Sequence, residues 1–208
     1  MGNRAIIKPE GQNIGVYLHW NGGIDSVTAF LKYCELKDFR GFDDPYGMAR
    51  FCQVVGNFFG GGLSIGIETD VQETEEAAEW IDNGIYVVKG WKIVRRIGGY
   101  YEGPEGYDLD DMLREIDIKQ PLTERLGDFL DGVETDISEI NVGDTVFVQN
   151  VRGTYEKHKV VGIGEDRIVN GQNVLGIPYV NRWGNGPYNP NNYLRGKVRV
   201  IKNEGIVL

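Results

Sequence analysis

The stretch GVYLHWNGGIDSVTAFLKY, Gly15 to Tyr33, decides how this chain folds. Gly15 to Trp20 has the β-branched and aromatic content of a strand, Asn21-Gly22-Gly23 is a tight turn, and Val27, Phe30, Leu31 and Cys34 recur at helical spacing. A strand that passes through glycines into a helix has two uses. It can present backbone N–H groups and a helix dipole to a phosphate. It can also be a plain junction, in which glycine supplies positive φ and Asp25 or Ser26 caps the helix.

Working outward, Ala5-Ile6-Ile7 pairs with Ile14–Trp20 as a hairpin through the turn at Pro9–Asn13. A second helix begins at Asp44-Pro45, with Met48, Phe51, Cys52, Val55 and Phe58/Phe59 on its inner face, and Gly60-Gly61-Gly62 stops it. Leu63–Thr69 is a strand, and Glu73–Ile81 a short acidic helix. Ile85–Val88 and Trp91–Arg96, joined at Lys89-Gly90, make another hairpin. Asp108 caps a helix whose inner face is Leu109, Met112, Leu113 and Ile116. Pro121 opens a short helix with Leu122, Leu126, Phe129 and Leu130. The expected architecture is α+β: an antiparallel sheet with helices packed on one face, over residues 1–138.

From residue 139 the helical period disappears. Short strands at Asp144–Val148, His158–Ile163, Arg167–Val169, Asn173–Ile177 and Lys197–Ile201, with a hairpin turn at Asn170-Gly171, describe a small all-β domain. Val142-Gly143-Asp144-Thr145-Val146 resembles the "GD-x-V" first strand of SH3-like barrels, so an SH3-like barrel or roll over 139–208 is the expectation.

The 208 residues carry a net charge of −9, distributed unevenly: residues 1–133 hold 23 acidic and 13 basic side chains, and residues 134–208 hold 8 and 9. A nonspecific nucleic-acid binder has the opposite sign, because phosphate neutralisation supplies its affinity, so no direct nucleic acid is expected. No apolar run is long enough to span a bilayer, and the first residues lack the apolar core of a signal peptide. A membrane is therefore not expected, and a cytoplasmic protein is. Two cysteines, Cys34 and Cys52, make no disulfide framework, and two histidines with no CxxC or HExxH make no expected metal site.

Two resemblances attach to the opening stretch. Gly22, Gly23, Asp25 and Ser26 are similar to the SGG-x-DS loop of the PP-loop ATP pyrophosphatases, with Asn21 in place of the first serine. That likeness implies a nucleotide- or phosphate-handling enzyme, in which Ser26 and the glycine amides would hold pyrophosphate. It also implies a parallel sheet, with a strand after the first helix, whereas a second helix follows here. His19-Trp20-Asn21-Gly22-Gly23 with Asp25 and Ser26 resembles the HWNGG-x-DS or HWDGYP motif of uncharacterised phage and prophage proteins, which implies a mobile-element origin. His19, Asp25 and Ser26 could also converge as parts of a hydrolase, but no GxSxG elbow accompanies them and no catalytic set is expected.

Two further surfaces are candidates. Glu68 to Asp82 contains seven acids and no base, with Glu73, Glu75, Glu76 and Glu79 at its centre. A second acidic run contains Asp108, Asp110 and Asp111, which do not follow an EF-hand loop. Such runs are ordinarily a solvated face. The sharper reading is an anionic surface that imitates phosphates and occupies a basic groove, as in anti-CRISPR inhibitors of host defence nucleases. The Gly-, Pro- and Asn-rich segment with Tyr179, Arg182, Trp183, Tyr188, Tyr193 and Arg195 combines aromatics with arginine, as interface hot spots do. The leading expectation is a cofactor-free, non-enzymatic binding protein of phage or mobile-element origin. It would act on a protein partner, a basic nucleic-acid-binding host protein included. The alternatives are the phosphate-handling enzyme and a virion structural or assembly protein.

Overall fold

The computed structural model describes residues 2–61, 64–100, 103, 106–149, 155–163, 169–173 and 197–203. The chain divides into two compact units, Met1–Arg125 and Leu126–Leu208.

In the first unit the strands are β1 (Ala5–Pro9), β2 (Gly15–Leu18), β3 (Ile65–Glu68), β4 (Ile85–Lys89) and β5 (Lys92–Ile97). The helices are α1 (Ile24–Leu36), α2 (Pro45–Phe58), α3 (Glu75–Ala78) and α4 (Leu109–Lys119). The sheet order is β3-β2-β1-β4-β5. The two expected hairpins are present, and β2 has antiparallel neighbours on both sides, β1 and β3. The sheet is nonetheless mixed, because β4 returns parallel to β1 with Ile6 opposite Ile85 and Ile7 opposite Tyr86. Every residue of β1 is buried, as are Ile85 to Val88. Consecutive apolar residues without alternation mark a strand covered on both faces, and Ala5-Ile6-Ile7 and Ile85 to Val88 share that property.

That double coverage corrects the expectation of helices on one face only. Ile6, Ile85 and the half-buried Tyr17 and Ile97 pack with Val71, Ala78 and Ile81, so α3 and its flanks cover one side of the sheet. Ala5 points the opposite way from Ile6, and the turn into α1 lies against it: a Cβ on Gly22 would come within 2.8 Å of the Ala5 Cβ. The three longer helices, α1, α2 and α4, pack on one another. Phe30 of α1 is the aromatic contact to α2, with Phe58 at 5.1 Å and Phe51 at 6.4 Å between ring centroids.

Local sequence explains the helix ends. Asp44 caps α2 by accepting from the Tyr46 amide at 2.8 Å, with Pro45 in the first turn, where a missing N–H costs nothing. Asp108 caps α4 by accepting from the Asp110 and Asp111 amides. Gly60 and Gly61, both at positive φ, follow α2 as expected. Two inner-face assignments fail: Leu109 is 42 % exposed and Leu122 is 80 % exposed. The segment after Pro121 forms short 3-10 turns at Leu122–Glu124 and Gly127–Asp131, too short to present a helical stripe.

The second unit holds β6 (Val133–Asp136), β7 (Thr145–Gln149), β8 (Tyr155–Ile163), β9 (Val169–Asn173) and β10 (Lys197–Ile201), in the order β6-β10-β7-β8-β9. All four pairings are antiparallel. Among the described residues β6 and β9 do not pair and the sheet is open, so the expected SH3-like barrel is not supported. Asn170-Gly171, expected as a hairpin turn, lies inside β9 opposite Gly162 and Val160, because pairing with a long β8 outweighs the local turn preference. Ile140, Val146, Val160 and Val200 form one core face. Phe147 and Tyr155 meet Phe129, which stacks on Tyr155 at 3.8 Å. The "GD" pair is a corner: Gly143 has φ 96°, and the buried Asp144 accepts from the amides of Asn141 and Asn203, both at 2.9 Å. Burial alone would raise the Asp144 carboxyl. Those amides and the Lys202 ammonium outweigh it and hold the group below its usual range.

Candidate functional site

The turn after β2 is stitched to the start of the chain. The Asn3 amide donates to the His19 carbonyl at 3.1 Å, and the Gly22 amide donates to the Asn3 carbonyl at 2.8 Å. Asn21 has φ 53°. A Cβ at Gly22 would stand 2.5 Å from the Asn3 carbonyl oxygen, so only glycine fits there. Gly23 is the N-cap of α1 and no side chain caps the helix, contrary to the expectation for Asp25 or Ser26. Asp25 is used elsewhere: its Oδ2 accepts from the amides of Gly106 at 2.9 Å and Tyr107 at 3.1 Å, which lead into α4. Ser26 is fully buried, with Oγ 3.4 Å from Asn21 Nδ2. A phosphate cradle needs free amides, an outward hydroxyl and a cation. In this turn the Gly22 amide is spent, the hydroxyl is inside, and Asp25 brings a carboxylate. Lys32, the nearest base along the chain, pairs with Glu35 at 2.6 Å.

His19 and Trp20 leave the turn and join a different cluster. Tyr17 Oη and His19 Nδ1 are 2.8 Å apart. The rings run in series, with Trp80 5.8 Å from Tyr17, Tyr17 6.1 Å from His19, and His19 4.9 Å from Trp20. Trp20 is 44 % and Trp80 47 % exposed. Arg4 and Asp82 form an ion pair that includes the Arg4 amide. Burial pushes the Tyr17 phenol up, with Arg4 opposing. The association of Trp80 with Tyr17 carries no sequence signal, since the two meet only because α3 crosses over β2.

The acidic candidates separate into distinct settings. Glu73 is no free surface charge: it holds the ammonium of the buried Lys8 and the guanidinium of Arg95. The hydrogen bond from Lys8 is the main reason its carboxyl lies below the usual range. Glu75 and Glu76 occupy the first turn of α3, where acids suit the dipole, and Thr74 caps that helix through the Ala77 amide. Glu79 is exposed, and its carbonyl accepts from the Tyr100 hydroxyl at 2.5 Å. An open cleft of about 680 Å³ lies between α3 and the residues after β5, lined by Glu75, Glu79, Arg96, Gly98 and Tyr100. Asp108 is committed to capping α4, and Asp110 and Asp111 are exposed on its first turn. Among the described residues, no three His, Cys, Asp or Glu side chains are grouped to hold a metal ion. No helix among the described residues is long and apolar enough to cross a membrane.

Tyr179, Arg182, Trp183, Tyr188, Tyr193 and Arg195 lie outside the described residues. Comparisons with protein-family models, with curated proteins and with solved structures find no match to this chain.

Proposed function

We propose that this chain is a non-enzymatic binding protein that engages a basic protein partner through an acidic face of its first unit. The observation that carries this reading is the pairing of charge and exposure on α3. Glu75, Glu76 and Glu79 are exposed and form no ion pair among the described residues, and the half-exposed Trp80 follows directly. An anionic surface with exposed aromatics favours a cationic polypeptide and repels nucleic acid. The phage or prophage origin, and inhibition of a host defence nuclease as the outcome of binding, rest on the likeness of His19–Ser26 to the HWNGG-x-DS motif and on the acidic balance of the chain. The test is retention of a partner from bacterial lysate on the immobilised chain at low salt. The expected partner is a basic protein, released as salt is raised, since exposed charge pairs are screened within about 8–10 Å at 0.1–0.15 M salt. Failure to retain any basic protein at low salt, or retention that is indifferent to salt, defeats the proposal.

A further inference from the structure

Building on that reading of a basic partner, we infer that the docking surface is the aromatic series Trp20–His19–Tyr17–Trp80 with its flanking acids, and that its occupant is an extended, arginine-bearing segment of the partner. Four rings in sequence, two of them about half exposed, make a continuous apolar strip on the side of the sheet covered by α3. The neighbouring β3 leaves that strip open. Gly66 stands opposite Tyr17, and a Cβ placed there would meet Tyr17 atoms alone, at 3.6 and 3.8 Å. Exposed tryptophan and tyrosine are the side chains that most often anchor an interface.

Charge selects the occupant. Glu68 is opposite Gly15 in the register and so lies on the Tyr17 side of the sheet. Glu76 lies on α3 four residues before Trp80, and Glu79, the C-cap of α3, directly precedes it. None of the three forms an ion pair among the described residues, whereas Arg4, whose charge acts on the Tyr17 phenol, is already neutralised by Asp82. The strip therefore offers ring faces beside unneutralised carboxylates. A guanidinium satisfies both at once, because its plane stacks on a ring while its edge bonds a carboxylate. An ammonium is a point charge that does one or the other. The same chemistry occurs within the chain, where Arg40 lies 5.2 Å from the Tyr46 ring centroid and pairs with Asp44. A second copy of the chain is a poor occupant, since it would bring the same acids to a molecule of net charge −9.

The test titrates the full chain with three otherwise identical unstructured peptides, arginine-rich, lysine-rich and glutamate-rich, following tryptophan emission and peptide anisotropy at low salt. The expected result is that the arginine peptide binds about tenfold more tightly than the lysine peptide, and the glutamate peptide does not bind. Trp80→Ala is expected to weaken binding by tenfold or more, and Glu76→Gln with Glu79→Gln by about threefold to tenfold. Trp80→Phe retains a ring and is expected to keep most of the affinity, with unfolding curves confirming that each variant is folded. Asp110→Asn with Asp111→Asn on α4 is expected to change little. Loss of binding in the α4 pair with none in Trp80→Ala overturns the surface assigned here and leaves the basic-partner reading standing. Equal binding of the arginine and lysine peptides overturns the occupant. Absence of binding to either cationic peptide overturns both. Tryptophan shielding that grows with protein concentration alone assigns the strip to self-association.

Discussion

Arg4 and Asp82 meet through two side-chain bonds, Nε to Oδ2 at 2.8 Å and Nη2 to Oδ1 at 3.0 Å, and the Arg4 amide donates to Oδ2 at 2.9 Å as well. The paired geometry ties the strand that opens the chain to the segment between α3 and β4. The side-chain bond from Arg4 is the main reason the Asp82 carboxyl is lowered to about 2 from its usual 3.8. A depressed carboxylate stabilises the folded state above its unfolded pKa and loses that contribution as pH falls through its folded pKa. Asp82→Asn is therefore expected to cost on the order of 1 kcal/mol near neutral pH, discounted for partial exposure, or about 2–4 °C in Tm. The gap between wild type and variant should narrow below pH 4, as pH falls toward and through about 2, in urea titrations. A gap as large at pH 2 as at neutral pH would show that the ion pair is not its source.

Lys8 is buried in the central strand, and its ammonium is answered by Glu73, which Arg95 also contacts. Removing one member of a buried pair leaves an uncompensated charge, whereas replacing the buried charge by an apolar side chain does not. Glu73→Gln is expected to destabilise by about 3 kcal/mol, and Lys8→Met by much less, with Lys8→Met/Glu73→Gln recovering most of the loss. Chemical denaturation of the three variants checks this. Additive losses in the double variant would mean that the two groups act independently.

Two glycines make opposite demands. Gly22→Ala would press a Cβ to 2.5 Å from the Asn3 carbonyl oxygen and 2.7 Å from the Ala5 nitrogen. It is expected to loosen the turn from β1 and cost about 2 kcal/mol or more. Gly56, inside α2, has nothing within 4 Å of its missing Cβ, and Gly56→Ala is expected to stabilise by about 0.5–1 kcal/mol. Thermal melts of the two variants should move in opposite directions. A Gly22→Ala protein as stable as wild type would show that the turn is free to move, and would reopen the anion-binding reading of Asn21–Ser26.

The sequence by itself determined the elements whose causes are local. Apolar spacing from Val27 to Cys34, the Asp44-Pro45 and Asp108 caps, the glycines after α2 and both hairpins of the first unit depend on residues a few positions apart, and all are present. It also contained one clue that local pattern could not interpret. Ala5-Ile6-Ile7 and Ile85–Val88 are both unalternating, as strands covered on two faces are, but nothing in either run says that they lie side by side and parallel. Only the tertiary structure decided that pairing, the placement of α3 opposite the longer helices, and the open second sheet in which Asn170-Gly171 became strand. The candidate site divides the same way. His19, Trp20 and the acids of α3 stood out by composition, but their union with Tyr17, the capture of Glu73 by Lys8, and the diversion of Asp25 to Gly106 and Tyr107 are long-range contacts. Their energy comes from burial and pairing between segments far apart in the chain, and no short-range pattern of residues encodes which segments those will be.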